Sequence, residues 1–363
     1  MRASLSVVTA VLVAGSAIAT PLAVQQQLPV FRAEANYVEV TARVVDKAGK
    51  FIDGLTAKDF SLTEDHRTQT VEHVFRVDLP TPWNQTAAVK PVVYRPGLPS
   101  ELQVAEGRIY LLYLNSVPVN HVVETRTAAH EFVNKYLQPE DVMAVWSTFG
   151  GVTFTNDKAR LNKKIEEFLG TTDLYSPVPQ TGDPGGGLAV GLTSALDWFS
   201  GVQGRKKSVL LFSAGWGGIA PVFSNLQIPA PFTTHLLDRS DVQIYALDTR
   251  GLTSPPGLAG PVAANAAAAA STVTSNAQDF FIGLNNMKWL AEDSGGFAIQ
   301  NINQYDQGFR RIVDENSTYY VLGYQSTQGI GPNWDYRELS VKLADPKFKG
   351  ARVQVRKGYV ARR

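Results

Sequence analysis

The residues of this sequence best able to do chemistry follow three apolar stretches. Asn115 and Ser116 close the first stretch, Ser213 follows the second, and Asp248 and Arg250 follow the third. Apolar runs of this length, bounded by turn residues, predict buried strands. In an open α/β sheet, ligands bind outside the carboxyl ends of the strands. The five residues therefore predict a polar recognition rim at that edge of a sheet.

Two features of this rim have a structural interpretation beside the functional one. Asp248 can cap a turn and pair with Arg250, two positions further on, which would stabilise the loop without recognising a ligand. Trp216, next to two glycines, is a binding hot spot if it is exposed, and packing material over the sheet end if it is not. The sequence leaves both alternatives open.

The usual signatures of catalysis are missing. The chain has no cysteine, which excludes disulfides, thiolate metal sites and cysteine nucleophiles. It also lacks HExxH, GxSxG and phosphate-loop motifs, and its five histidines have no metal-ligand spacing. A hydrolase centred on Ser116, Ser213 and Asp248 is an alternative, but no histidine follows a predicted strand to act as general base. We therefore expect a protein that is not an enzyme.

Composition excludes some classes of partner. The 363 residues are 44% hydrophobic and 18% charged, an ordinary balance for a chain that buries a sizeable core. The formal net charge is +1, so nothing in the composition indicates a general affinity for nucleic acid or for an anionic membrane.

The start of the sequence indicates export. A short basic start, Met1-Arg2, comes before a run of apolar or small residues from Leu5 to Ala19, which ends in the small-x-small pattern of a cleavage site. This predicts a signal peptide at 1–19, a polar leader at 20–29, and a secreted or periplasmic protein. An uncleaved anchor is the alternative, and no later stretch of the sequence is apolar enough to predict a membrane span.

The order of the segments predicts two kinds of module. Apolar strands alternate with amphipathic helices over 108–316, which predicts an α/β domain whose largely parallel sheet is covered on both faces. Short strands without helical periodicity occupy 30–78 and 317–363, and we expect them to form one small β-sandwich that the α/β domain interrupts. A linker with five prolines lies at 79–107, and an alanine-rich loop lies at 253–275.

Several segments resemble a single family. They include "YVEVTARVVDKAGKFIDGLTAKDFSLTED", "FVNKYLQPEDVMAVWSTFGG", "GRKKSVLLFSAGW", "VQIYALDTRGL" and "LAEDSGGFAIQ". In order and spacing these resemble the von Willebrand factor A-type (VWFA) domain, specifically the exported VWFA-related group of acidobacteria. The resemblance implies a Rossmann-like, doubly wound, mostly parallel sheet joined to a small all-β, Ig-like sandwich. It also implies adhesion or protein binding.

The resemblance further implies where a metal would bind. The family pattern has Asp-x-Ser-x-Ser after the first strand and an aspartate after the fourth, because hard divalent cations require charged oxygen ligands. Here Leu114 replaces the first aspartate and Pro118 the last serine, although Ser116 is retained; Ala214 stands where the later carboxylate is expected. We therefore expect no cofactor and no tightly bound divalent cation.

Two points of that alignment stay open. A shift by one position would put Asn115 in the place of the first aspartate, where it would supply an oxygen without a charge. Thr181 or Thr193 would stand for the threonine that the family has in a later loop. A weak cation site is therefore an alternative to a metal-free rim.

One turn of the β module departs from the family. The sequence Glu64-Asp65-His66-Arg67 stands where related sequences tend to have Asp-Gly. His66 is therefore expected at a turn position suited to glycine, at a cost in stability.

Together these observations predict an exported, non-catalytic module that recognises a protein or matrix component through the carboxyl-terminal rim of its parallel sheet. The predicted rim residues are Asn115, Ser116, Ser213, Trp216, Asp248 and Arg250. Two alternatives remain, which are an envelope-assembly protein whose β module does the binding, and a cation-dependent adhesion protein with a weak site.

Overall fold

The structure is a computed structural model. It describes residues 37–83, 93–94, 107–115, 117–147, 154–170, 192, 196, 206–215, 242–252, 280–281, 283–292, 294–328 and 335–361. All of these belong to one compact unit, Ala35–Arg363. The predicted signal peptide at 1–19, the leader at 20–29 and the alanine-rich loop at 253–275 lie outside the described residues.

The described part of the chain alternates between β-rich ends and an α/β middle. Its strands are β1 (Tyr37–Val45), β2 (Phe60–Glu64), β3 (Arg67–Gln69), β4 (Val71–Asp78), β5 (Val93–Tyr94), β6 (Ile109–Leu114), β7 (Val142–Ser147), β8 (Phe154–Thr155), β9 (Lys207–Phe212), β10 (Val242–Leu247), β11 (Ala298–Ile299), β12 (Thr318–Gln325), β13 (Asp335–Leu343), β14 (Arg352–Val355) and β15 (Gly358–Ala361). Its main helices are α1 (Val122–Glu131, continued by a π-helical turn, Phe132–Tyr136), α2 (Lys158–Glu166), α3 (residues 280–281 and 283–292) and α4 (Asp306–Ser317).

The middle of the chain forms one mostly parallel sheet. Within the described residues its strand order is β11-β10-β9-β6-β7-β8-β5. The strands from β11 to β7 are parallel, β8 pairs antiparallel with β7, and β5 pairs antiparallel with β8. Strand β6 lies at its centre, and all six of its residues are buried. This explains the unbroken apolar run in the sequence, because a parallel strand covered on both faces has no side that faces water.

Alternate residues of β6 belong to two separate cores. Tyr110, Leu112 and Leu114 pack on the face covered by α1, α2 and α4. The intervening residues, among them Leu111 and Tyr113, pack on the opposite face with side chains from α3. The sequence prediction of an α/β chain with a largely parallel sheet is therefore confirmed at this level.

The two ends of the chain form antiparallel sheets that share a core. One sheet has the order β14-β1-β12-β4, and the other has the order β15-β13-β2-β3. Val40 on β1 pairs with Leu322 on β12, and Leu62 on β2 pairs with Val341 on β13. These four side chains lie in one hydrophobic cluster. The structure thus shows the strand pairing between the chain ends that the sequence left open.

Helix α4 passes directly into β12, and buried cations surround its carboxyl end. Arg43 of β1 donates to the carbonyl oxygen of Asp314, and Lys206 donates to that of Glu315 at 2.8 Å. Arg108, just before β6, donates to Ser317 Oγ at 2.5 Å. Positive charge is favourable at a helix carboxyl end, where carbonyl groups lack partners. The three cations therefore join the parallel sheet and β1 to the start of β12.

The turn between β2 and β3 has the backbone that the sequence indicated. His66 has a φ angle of 64°, in the left-handed region that favours glycine, and Asp65 precedes it with a φ angle of 45°. Elsewhere, no helix among the described residues has the length and apolar character needed to cross a membrane.

Candidate functional site

Three of the predicted rim residues lie side by side at the carboxyl edge of the parallel sheet. Asn115 follows β6, Ser213 follows β9 and Asp248 follows β10, and these strands are neighbours. Their backbone N–H groups continue the hydrogen bonding between the strands by one residue. Asn115 donates to Phe212 O at 3.1 Å, Ser213 donates to Leu247 O at 3.0 Å, and Asp248 donates to Ile299 O at 2.9 Å. The parallel sheet therefore fixes the spacing of the rim.

These rim residues are buried, and their polar groups are engaged with the protein. Asn115 Nδ2 donates to the hydroxyl of Tyr113 at 2.8 Å, and the Gly215 N–H donates to Ser213 Oγ at 3.1 Å. Burial raises the pKa of the Tyr113 hydroxyl, although the hydrogen bond to Asn115 opposes the shift. The phenol therefore stays protonated at neutral pH. Asn115 and Ser213 form the floor of the rim rather than its outer surface.

Asp248 and Arg250 form a closed ion pair. Arg250 Nε donates to Oδ1 and Nη2 donates to Oδ2, each at 2.8 Å, and the Arg250 N–H donates to Oδ1 at 3.1 Å. The Asp248 side chain is fully buried and that of Arg250 is 6% exposed. The guanidinium also lies over the ring of Phe280, 4.6 Å from its centroid. This geometry corresponds to the structural interpretation of the pair, in which the loop after β10 is fixed against α3.

Residues that the sequence did not single out complete the rim. The hydroxyls of Thr125 on α1 and Thr249 share a short hydrogen bond, and both side chains are buried. Tyr305, just before α4, makes a long hydrogen bond of 3.5 Å to the carbonyl oxygen of Asp248. Burial, and then the charge of Asp248, raises the pKa of Tyr305 to about 12. These contacts tie α1 and α4 to the turn after β10, and the sequence carried no signal for them.

Exposed apolar side chains surround this floor. Gly170 lies against the turn after β6. A Cβ atom added to Gly170 would come within 2.5 Å of Val122 and within 3.2 Å of Val119. Leu169, the preceding residue, therefore lies next to the same turn. Most of the large hydrophobic side chains that are exposed among the described residues flank the rim, and we call them the rim apolar set: Val119, Val123, Leu169, Leu252 and Phe281. Val123 is 71% exposed and Leu252 is 70% exposed. Apolar side chains grouped on a surface mark sites of protein contact.

Apolar residues occupy the positions at which the family resemblance implies metal ligands. Leu114 is fully buried at the end of β6, and Ala214 is buried after β9. The nearby carboxylate of Asp248 is bound by Arg250 through both oxygens. In the part of the chain that the structure describes, no group of three or more histidine, aspartate or glutamate side chains is placed to hold a metal ion.

Four positions named from the sequence cannot be placed. Ser116 and Trp216 of the predicted rim, and the two candidate loop threonines Thr181 and Thr193, lie outside the described residues.

No protein-family model matches this chain, and no curated protein matches it. Among solved structures, the chain shows a weak likeness to the crystal structure of the human COPII-coat protein Sec24c. The identity is 7%, the TM-score is 0.27, and the match covers 70% of this chain and 43% of that chain. The match thus spans less than half of the Sec24c chain, and a likeness of this size supports no statement about fold or function.

Proposed function

We propose that this chain is an exported, non-catalytic recognition protein that binds a protein or matrix partner through the carboxyl rim of its parallel sheet, without a metal ion. The observation that carries the proposal is the rim apolar set, which flanks a floor whose polar groups are bound to one another. Exposed apolar side chains beside a rigid floor suit burial against another protein.

The same arrangement argues against catalysis at the rim. A nucleophilic serine needs a base within hydrogen-bond reach. Ser213 Oγ instead accepts a hydrogen bond from the backbone of Gly215, and the carboxylate of Asp248 is bound to Arg250. Asp248 would have to leave its ion pair with Arg250 before it could act as the base of such a reaction.

The proposal includes the finer architecture that the sequence resemblance implies. In it, the parallel sheet is a Rossmann-like VWFA domain whose metal site is degenerate, and the two antiparallel sheets form an Ig-like sandwich. The cores on both faces of the sheet and the shared core of the two antiparallel sheets are compatible with this assignment. In this architecture the loops after the parallel strands carry binding.

Site-specific photocrosslinking tests where a partner binds. A benzophenone amino acid is placed at Val123 or at Leu252 in the rim apolar set, and at Lys163 on the exposed side of α2 as a control. The purified proteins are irradiated with an envelope fraction. We expect adducts to one and the same protein from both rim positions and none from Lys163. The adduct from the Val123 position should disappear when Leu252→Asp is introduced.

Two results would contradict the proposal. One is an adduct that forms equally from Lys163. The other is a partner that still binds a Val123→Asp, Leu252→Asp protein and is lost only when the β-sandwich surface is changed. The second result would favour the reading in which the β module does the binding. Each variant must first show the unfolding midpoint of the unchanged chain, so that loss of binding is not loss of fold.

A further inference from the structure

Two neighbouring turns of the β-sandwich carry exposed cations, most of which have no ion-pair partner among the residues that the structure describes. One turn follows β1 and contains Lys47 and Lys50; the other precedes β14 and contains Lys349, with Arg352 as the first residue of that strand. All four side chains are exposed. Among the described residues, none of the four forms a salt bridge. We call these four residues the basic cap.

Contacts hold the two turns next to each other. Val45, the last residue of β1, pairs with Arg352 of β14. The stem of Lys47 lies across Gly350, because a Cβ atom added to Gly350 would come within 2.2 Å of Lys47 Cε. The Asp46 N–H donates to Lys50 O at 2.8 Å, which places Lys50 in the same turn as Lys47. The four cations therefore share one end of the sandwich.

The carboxylates of these turns accept hydrogen bonds from residues of their own turn. Asp46 Oδ1 accepts the N–H groups of Ala48 and Lys50 at 2.8 and 2.9 Å. Asp345 accepts the Lys347 N–H at 2.8 Å and pairs with the Lys347 ammonium at 3.0 Å. The two turns thus hold five cations against two carboxylates, and Asp59 adds a third carboxylate 3.9 Å from the Lys347 ammonium. The net charge of the whole chain is only +1. Most of the excess is on the basic cap.

We propose that the basic cap binds the surface of a bilayer that contains anionic lipids. The four groups are exposed on separate stems and do not converge on a buried point, so they match an extended array of negative charges better than a single phosphate. Charge complementarity of this kind gives about a fivefold gain in partitioning for each lysine or arginine near an anionic surface. The net charge of the chain predicted no such affinity because it averages over both modules and conceals the local excess.

Vesicle co-sedimentation tests the proposal with the purified chain at low salt. We expect binding to vesicles of phosphatidylcholine mixed with phosphatidylglycerol and none to vesicles of phosphatidylcholine alone. The double variant Lys47→Gln, Lys349→Gln should weaken partitioning by about 25-fold, two steps of about fivefold. The matched control, Arg160→Gln with Lys163→Gln on α2, removes two exposed cations from the other module and should leave partitioning unchanged.

Competition separates a charged surface from a site for one anion. Inorganic phosphate and chloride at equal ionic strength should displace the chain from vesicles equally, because screening alone weakens a diffuse interaction. Displacement by phosphate at concentrations where chloride has no effect would overturn the proposal in favour of a discrete phosphate site. Equal binding to both kinds of vesicle, equal weakening by the control variant, or preference for duplex DNA over anionic vesicles would also overturn it. The rim variants used in crosslinking leave the basic cap intact, so the two proposals fail independently.

Discussion

Arg250 holds Asp248 in a two-point ion pair that is almost completely removed from water, with both side-chain hydrogen bonds at 2.8 Å. The partners are two positions apart, so the pair closes the turn after β10 on itself. The Arg250 guanidinium also stacks on Phe280, which brings the start of α3 to the same turn. One local pair therefore orders two elements of the rim, and it engages both oxygens of the Asp248 carboxylate.

Replacing Arg250 alone should lower the free energy of unfolding more than replacing both members of the pair. Arg250→Met leaves the Asp248 carboxylate buried without a counter-charge, and we expect the free energy of unfolding to fall by about 3–5 kcal/mol. The double variant Arg250→Met, Asp248→Asn buries no charge and should regain a large part of that loss. Urea unfolding of both variants measures the difference. Equal losses in the single and double variants would show that packing on Phe280, and not charge, is what Arg250 contributes.

The sequence predicted the elements well where the information was local. The six buried residues of β6 form one apolar run, and the pairing of Asp248 with Arg250 was one of two interpretations of a three-residue stretch. The Thr125–Thr249 bond was beyond prediction, because the partners are 124 positions apart and neither residue type indicates the other. The pairing of β1 with β12 joins opposite ends of the chain, and alternation of side chains gives the face of a strand but not its neighbour.

Substitution of Arg108 should cause a large loss of stability. Its side chain is 1% exposed and donates to Asp141 at 2.9 Å, Ser317 at 2.5 Å and the carbonyl oxygen of Pro80 at 2.7 Å. Arg108→Met leaves Asp141, also 1% exposed, with only backbone donors, and we expect a loss of about 3 kcal/mol in urea unfolding. Lys135→Met is the control, since it breaks an exposed pair and should cost less than about 1 kcal/mol. Similar losses in both variants would contradict this ranking.

The turn at His66 offers a stabilising substitution. A non-glycine residue in the left-handed region costs about 1–2 kcal/mol, and glycine loses about 0.5–1 kcal/mol through its greater freedom in the unfolded chain. His66→Gly should therefore raise the free energy of unfolding by about 0.5–1 kcal/mol. Among the described residues, the contact that this substitution removes is the exposed one between His66 and Glu338 at 3.7 Å. His66→Ala keeps the strain and should give no gain, so an equal gain from alanine would refute a backbone cause.

The carboxyl group of Asp59 should contribute to a loss of folding stability at acid pH. Its carboxylate accepts the Thr56 N–H and hydroxyl, each at 2.8 Å, and the backbone hydrogen bond is the main cause that lowers the pKa of Asp59 in the folded chain. A carboxyl whose pKa is lower when folded stabilises the protein above its unfolded pKa of about 4, and that contribution is lost as the pH falls below it.

Two variants distinguish the effect of the Asp59 carboxyl group from that of the other acidic side chains. Asp59→Asn should be less stable than the unchanged chain at pH 7 and should approach it in stability near about pH 3. Thr56→Val removes the hydroxyl donor but keeps the N–H, so it should show a smaller version of the same trend. Urea unfolding midpoints across this range report the effect. A difference between Asp59→Asn and the unchanged chain that stays constant with pH would rule out the carboxylate as its source.

The rim should function without a divalent cation. A tight Mg²⁺ or Ca²⁺ site requires carboxylate oxygens, whereas Leu114 and Ala214 stand at the implied ligand positions and Asp248 is bound to Arg250. Calorimetric titration of the purified chain with Mg²⁺, Ca²⁺ and Mn²⁺ should show no stoichiometric binding, and crosslinking from Leu252 should be unchanged by EDTA. Micromolar binding of one ion per chain, abolished by Ser116→Ala, would instead establish a cation-dependent rim. Such binding that survives Ser116→Ala would place the ion elsewhere and leave the proposal for the rim intact.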